Sequence, residues 1–306
     1  MTRVLITGVN GFCGRHLANY LTAQAVEVYG ISRVSSSPRE YRLPEPVSVS
    51  TLCPIILVAR PHYVFHLAGV TAADEPATFY HVNTAYAANL LRALEKSGYR
   101  NCPVLLVGSA AEYGEVTNEQ LPITESHTPR PYSHYGISKL AQTQLGLAEA
   151  RSTRPVIIVR PFNIIGAHMP AHLVVQSLAL QIADILWRRR SSAVRVGNLQ
   201  SARDFVDVAD VVEVYWRLIQ APAAYGEIFN VCSGIPVKIS DVLSKMVELV
   251  NADIEIEVDP SRFKPVEIAV HYGSPEKLLR FLDYRLKKSL ESSLKQILEA
   301  ACGGEV

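Results

Sequence analysis

Along the first half of the chain, short apolar, β-branched runs alternate with longer stretches whose apolar positions recur at helical spacing. Val4–Ile6, Val26–Ile31, Tyr63–Leu67, Val104–Val107 and Val156–Val159 read as strands, with helical patterns near 14–24, 77–97 and 134–150 between them. Strands that are apolar throughout are buried on both faces, which implies a parallel sheet covered by helices. Right-handed crossovers make such a series a doubly wound α/β sheet. Ser35 to Pro46 reads as a loop. After Arg160 the pattern loosens. It predicts a helix over 172–189, short strands near 194–196 and 227–231, and a helix capped by Ser240 just before Asp241. A strand at Ile254–Val258 and a helix over 289–301 follow. The expected division is a main domain of residues 1–163, joined by about 201–232, and a smaller α/β domain from 164–200 and 233–306.

Composition narrows the function classes. The formal net charge is +1, so no global field draws nucleic acid or an anionic membrane. The one basic run, Arg188-Arg189-Arg190, reads as a solvated helix end or an anion contact. The five cysteines, at 13, 53, 102, 232 and 302, form no CxxC pair. That count and spacing suit neither a disulfide framework nor a metal cluster and point to a reducing, cytoplasmic setting. The N-terminus lacks a charged segment followed by a long apolar stretch, and runs such as Ile55–Ala59 are too short to span a bilayer. His168 and His172 are four apart, but Pro170 lies between them and no third ligand is evident, so no metal is expected.

Chemistry enters at the first strand-to-helix turn, Thr7-Gly8-Val-Asn10-Gly11-Phe12-Cys13-Gly14. Glycines at this spacing make a tight turn, let the backbone approach a pyrophosphate and let helix and strand pack closely, while the helix N-terminus supplies N–H donors. The expected fold is therefore a Rossmann-type sheet that binds a nicotinamide dinucleotide. Cys13 reads as packing. The second strand ends Gly30-Ile31-Ser32-Arg33, where an acid would hold the ribose 2′-hydroxyl of NAD. With no acid there, Arg33 either pairs with a 2′-phosphate or is an ordinary surface arginine. The first reading favours NADP(H) and leaves NAD(H) open.

Tyr135 and Lys139 stand four apart on a predicted helix and so share a face. A phenol of pKa near 10 is a poor acid at neutral pH. An adjacent ammonium is expected to lower that value, so that Tyr135 exchanges a proton with a substrate oxygen as hydride moves at carbon. Ser109, at the end of a sheet strand, points toward the same crevice and can donate to that oxygen. Tyr284 and Lys288 repeat the spacing but read as a surface pair.

In order, Gly8/Gly11/Gly14, His66-Leu67-Ala68-Gly69, Asn83, Ser109 to Gly114, Tyr135/Lys139, Arg160-Pro-Phe162-Asn163 and Arg203-Asp-Phe-Val-Asp207 resemble the extended short-chain dehydrogenase/reductases, the NAD-dependent epimerase/dehydratase group. Within that group, Arg160 to Gly166, Val196 to Leu199, Phe229 to Gly234 and Asp259 to Pro265 most resemble enzymes that reduce nucleotide-linked 4-keto-6-deoxyhexoses. The resemblance implies reduction of GDP-4-keto-6-deoxy-D-mannose to GDP-D-rhamnose, with Ser109, Tyr135 and Lys139 catalytic. It implies a cofactor site of Gly8, Asn10, Gly11, Phe12, Cys13, Gly14, Ser32, Arg33, Leu67, Ala68, Gly69, Asn83, Lys139, Arg160 and Phe162. The nucleotide sugar, GDP-linked, would meet Ser109, Ala110, Glu112, Asn163, Val174, Arg203 and Arg262, the two arginines gripping its diphosphate. A homodimer through the Tyr135 helix and the helix near 77–97 is also implied.

The chain departs from the group in two places. Ser48-Val-Ser-Thr-Leu52 lacks the acid that relatives carry near the adenine. Ala110 and Ala111 stand where a 4,6-dehydratase needs an acid, and Glu112 has the wrong strand parity to share Ser109's face. That argues against a dehydratase. It leaves a 4-epimerase, which would retain NAD, and a nonenzymatic dinucleotide sensor as the alternatives to a reductase.

Overall fold

The computed structural model describes residues 1–34, 37–44, 46–187, 193–263 and 268–304. Arg188-Arg189-Arg190, the end of the helix expected over 172–189, and Pro265 lie outside the described residues.

The elements run β1 (Arg3–Thr7), α1 (Phe12–Ala23), β2 (Glu27–Ser32), β3 (Glu40–Arg42), α2 (Val49–Ala59), β4 (Tyr63–His66), α3 (Pro76–Phe79), α4 (Tyr86–Lys96), β5 (Val104–Val107), α5 (His134–Arg151) and β6 (Val156–Pro161). Then come β7 (Asn163–Ile165), α6 (Val174–Leu186), β8 (Ala193–Val196), β9 (Ala202–Asp207), α7 (Val208–Ile219), β10 (Ile228–Val231), β11 (Pro236–Lys238), α8 (Ile239–Val250), β12 (Glu255–Val258), β13 (Val270–His271), α9 (Glu276–Leu282) and α10 (Leu290–Ala301). The main sheet is parallel, in the order β10-β6-β5-β4-β1-β2-β3. The order reverses between β1 and β4, and such a switch opens a crevice at the carboxyl ends of the strands.

Side-chain alternation explains why these strands read as continuous apolar runs. Val4, Ile6, Leu105, Ile157 and Val159 pack with Leu17 and Leu21 of α1 and Val211, Val214 and Leu218 of α7. Leu5, Val64, Val104, Leu106, Val156 and Ile158 face the other way, against Leu52 and Ile56 of α2 and Leu90, Leu91 and Leu94 of α4. Successive residues thus feed two separate cores.

The smaller part has its own core, in which Val175, Leu178 and Ile182 of α6 meet Val242, Leu243 and Met246 of α8 and Leu294, Ile297 and Leu298 of α10. β7, β11 and β13 all pair with β9, and β12 pairs with β8. This packing corrects the expected division twice. β9, assigned to the main sheet with 201–232, pairs within the small sheet, although its Val206 packs on the main core with α7 and β10. Conversely, Leu278, Phe281 and Tyr284, assigned to the small domain, pack on the main core.

Several local expectations also shift. α8 begins at Ile239 with Lys238 at its N-cap, so Ser240 lies inside the first turn. Ser48 caps α2: its hydroxyl accepts from Thr51 N at 3.3 Å. The loop expected over 35–46 contains β3. Tyr284 is buried and donates to Asp210 Oδ1 at 2.8 Å, so it forms no surface pair with Lys288.

Candidate active site

The glycine turn closes over the carboxyl end of β1. Gly8 sits at φ +74°, and a Cβ there would lie 2.8 Å from the Ala68 nitrogen. A Cβ on Gly14 would lie 2.1 Å from the Gly8 carbonyl oxygen. Any side chain at either place would displace backbone. Gly11 is the N-cap of α1 and offers no side-chain cap. Helix geometry leaves the N–H groups of Phe12, Cys13 and Gly14 without acceptors inside α1, and they form an anion-binding end. The residues present therefore suit a dinucleotide pyrophosphate. Burial pushes the Cys13 thiol up to about 12, so it is no thiolate. Phe12 packs edge-on to His16 and touches both the main and the small core.

Asn10 reaches across to the end of β2. Its amide donates to Ser32 Oγ at 3.0 Å, to the Val34 carbonyl at 2.7 Å and to Glu40 Oε2 at 2.9 Å. Arg33 is exposed beside this cluster.

The loop after β4 forms the floor of the crevice. Thr7 Oγ1 bonds His66 Nδ1 at 2.7 Å and accepts from Ala68 N at 3.3 Å. Burial, with the Lys139 charge nearby, pulls His66 down to about 3, so its ring is neutral. Leu67 continues the backbone ladder through its N–H to Thr7 O. Asn83 lies in a π turn, Tyr80–Ala85, between α3 and α4. Its amide holds both backbone groups of Val70, at 2.9 and 3.1 Å, and donates to Ser138 Oγ at 2.9 Å. The Asn83 side chain is thus occupied in joining this loop to α5.

α5 carries Tyr135 and Lys139, with Ser133 as its cap. The Lys139 ammonium donates to the Val107 carbonyl at 2.8 Å and to Gln142 Oε1 at 3.2 Å. A Cβ on Gly69 would lie 3.2 Å from that nitrogen. Burial lowers Lys139 to about 8, opposed by the Glu112 charge. The Ser109 hydroxyl acts on the Tyr135 phenol and lowers its pKa. Burial outweighs this and raises Tyr135 above its ordinary value. This corrects the expected direction: a buried phenolate loses more solvation than the nearby hydroxyl restores.

Ser109 to Glu112 is a 3-10 turn, not a continuing strand. Glu112 accepts from Ser109 N at 2.8 Å and pairs with Arg160 Nε at 2.8 Å, both side chains being buried. The Arg160 guanidinium lies over the Tyr113 ring, 4.7 Å from its centre. Ala110, Tyr113 and Phe162 form a small apolar cluster with Ile123 and Cys232. Glu112 and Arg160 thus satisfy each other, and Ala110 and Phe162 share an apolar cluster beside them. Burial dominates at Glu112 and raises its carboxyl, with Arg160 opposing.

On the small-domain side, Asn163 donates to the Asp204 carbonyl at 2.9 Å. Arg203, on β9, donates to its neighbour Ala202 O. Arg262 pairs loosely with Asp259 at 3.5 Å, and Val174 opens α6, exposed. Asp204, the second residue of the Arg203–Asp207 motif, is a buried hub that accepts from Ser233 N and Oγ, Gly234 N and Gly273 N. Gln142 was also missed. It stands seven residues after Tyr135, two turns along the same face, and that spacing was available to the sequence.

A family model described as the NAD dependent epimerase/dehydratase family matches residues 4–232. The chain belongs to that family. Among its members, GDP-6-deoxy-D-mannose reductase of Pseudomonas aeruginosa is 34% identical over 304 residues, covering 97% of this chain and 96% of that protein. GDP-6-deoxy-D-talose 4-dehydrogenase of Aggregatibacter actinomycetemcomitans is 30% identical over 302 residues, with 97% and 96% covered. The solved structure of RMD from Pseudomonas aeruginosa complexed with NADPH superposes with a TM-score of 0.85 at 30% identity, covering 99% of each chain. Among the described residues of this family member, no helix is long and apolar enough to cross a membrane.

Proposed function

We propose that this protein reduces the C4 ketone of GDP-4-keto-6-deoxy-D-mannose to GDP-D-rhamnose, using NADPH or NADH. The convergence of Ser109, Tyr135 and Lys139 on the end of β5, beside a glycine turn shaped for a dinucleotide, carries this reading. The full-length similarity to a GDP-6-deoxy-D-mannose reductase supports the substrate. Gly8, Gly11, Gly14 and the first turn of α1 would hold the pyrophosphate, with Ser32 and Arg33 at the adenosine end. When bound, the cofactor supplies hydride to the ketone carbon.

The chain's own residues then handle the oxygen. Ser109 donates to the ketone and orients it. Tyr135, kept protonated by burial, delivers the proton to the developing alkoxide. Lys139 fixes the floor of the site between Val107 O and Gly69 and holds positive charge where negative charge develops. Arg203 and Arg262 would grip the sugar diphosphate, and Asn163 would border it. The occupied Glu112, with Ala110 and Ala111 ahead of it, supplies no acid for dehydration.

We also propose self-association through α5 and the α3–α4 segment, where Ile137 on α5 and Tyr132 just before it are exposed. A cytosolic setting suits the five free cysteines.

Purified protein with GDP-4-keto-6-deoxy-D-mannose is expected to consume added NADPH or NADH mole for mole with product. Turnover without added cofactor would favour an epimerase, and inertness with both cofactors would overturn the reading. The pH profile adds a second measure. Reduction needs Tyr135 protonated and Lys139 charged; both conditions hold at neutral pH, and Lys139 loses its proton near 8. kcat/KM, which reports the free enzyme, should therefore fall above about pH 8, and Lys139→Arg should move that fall to higher pH. A wild-type profile flat to pH 9.5 would remove Lys139 from this role.

A further inference from the structure

The end of β2 lacks the acid that would recognise an unphosphorylated ribose, yet the fold brings one there from elsewhere. β3 lies beside β2 in parallel register, Gly30 opposite Glu40 and Ser32 opposite Arg42. Gly30 has no side chain, so the Glu40 side chain can lie against it: a Cβ on Gly30 would come within 3.1 Å of Glu40 Cγ. The carboxylate is thereby held at the glycine turn, where Glu40 Oε2 accepts from Asn10 Nδ2 at 2.9 Å. The same Asn10 nitrogen lies 3.0 Å from Ser32 Oγ. One amide thus ties the last residue of β2 to a carboxylate supplied by the next strand. Arg33, exposed and of opposite charge, follows Ser32 directly.

We infer that Glu40 is a specificity-determining residue for the adenosine half of the cofactor, doing from β3 what an acid at the end of β2 does elsewhere. This rests on the dinucleotide reading of the crevice. A 2′-hydroxyl donates to a carboxylate in a charge-assisted bond. A 2′-phosphate carries about −1.5 to −2 charges at neutral pH and meets the same carboxylate as a like charge. Arg33 attracts that phosphate. The pair therefore sets a balance in which Glu40 keeps NADH usable and restrains NADPH.

Glu40→Gln tests this, because the amide oxygen of glutamine still accepts from Asn10 and leaves the turn tied. Binding of NADPH and of NADH is read by nicotinamide fluorescence, and turnover of GDP-4-keto-6-deoxy-D-mannose is read with each. The ratio of kcat/KM for NADPH over NADH should rise about tenfold or more in Glu40→Gln. The change should lie in KM, falling for NADPH and rising for NADH, with kcat nearly unchanged. Equal weakening of both cofactors would mean that Glu40 merely supports Asn10, and would overturn the inference. So would binding of both cofactors with the ratio unchanged. If wild-type protein binds neither dinucleotide, the reading of the crevice fails, and this inference fails with it.

Discussion

Replacing Tyr135 with phenylalanine is expected to lower kcat for reduction by about 10²- to 10⁴-fold, the range that positioned proton transfer contributes. The change removes one oxygen and little volume. Tyr135 packs near Phe79 through its ring, and that contact survives. Cofactor binding should be unaltered, because the glycine turn, Gly69 and Lys139 keep their places. The substrate KM should move little, since the lost group acts on charge that develops only in the transition state. The measurement is steady-state kcat and KM beside a fluorescence titration with NADPH. A variant within threefold of wild type would shift the proton donor elsewhere, with Ser109 as the nearest hydroxyl. The raised phenol pKa sharpens the point. Burial keeps the phenol protonated but makes it a weaker donor, so the proton moves only as the alkoxide, a stronger base, develops. Sugar oxidation would need the opposite shift, and a bound cofactor's positive ring would have to provide it.

The second large effect concerns stability. Arg160→Met leaves the Glu112 carboxylate buried without its cation, and breaking such a pair costs about 3–5 kcal/mol. The guanidinium's contact over Tyr113 is lost as well. Denaturant unfolding should show the midpoint falling with the slope unchanged. The pH dependence identifies the cause. Glu112 already has a raised carboxyl, and without Arg160 it rises further. A carboxyl whose folded pKa exceeds its unfolded value takes its proton first in the folded state. The stability this gives is present at low pH and lost as pH rises from the unfolded toward the folded value. The deficit of Arg160→Met should therefore be smaller near pH 4.5 than near pH 8. A deficit equal at both would mean that packing over Tyr113, and not the stranded charge, explains the loss. Adding Glu112→Leu should recover part of it, because an apolar replacement of both partners removes the stranded charge.

The parallel sheet was legible because its central strands are buried on both sides, so unbroken runs such as Val104–Val107 have no other use. The glycine turn was legible because two of its positions exclude any side chain. What escaped the sequence depends on contacts distant in the chain. α2 hides behind Pro54 and an unbroken apolar run, Ile55–Ala59, which carries no amphipathic signal. β3, β7, β11 and β13 are two or three residues long and exist only through a partner strand. Glu112 and Arg160 were expected at the ligands on the family resemblance. Their separation of 48 residues concealed that each satisfies the other. Glu40 was passed over because it sits in what read as a loop. Only the strand pairing brings it to the end of β2.

Asn83 has a longer reach. Its amide bonds both backbone groups of Val70 and extends to Ser138, so the loop after β4 and the helix that carries Tyr135 are tied together. The adenosine end, at Asn10, Ser32 and Glu40, lies beyond that coupling. A substitution at Asn10, Ser32 or Glu40 is therefore expected to alter the choice of reductant alone, while one at Asn83 is expected to perturb coenzyme and chemistry together.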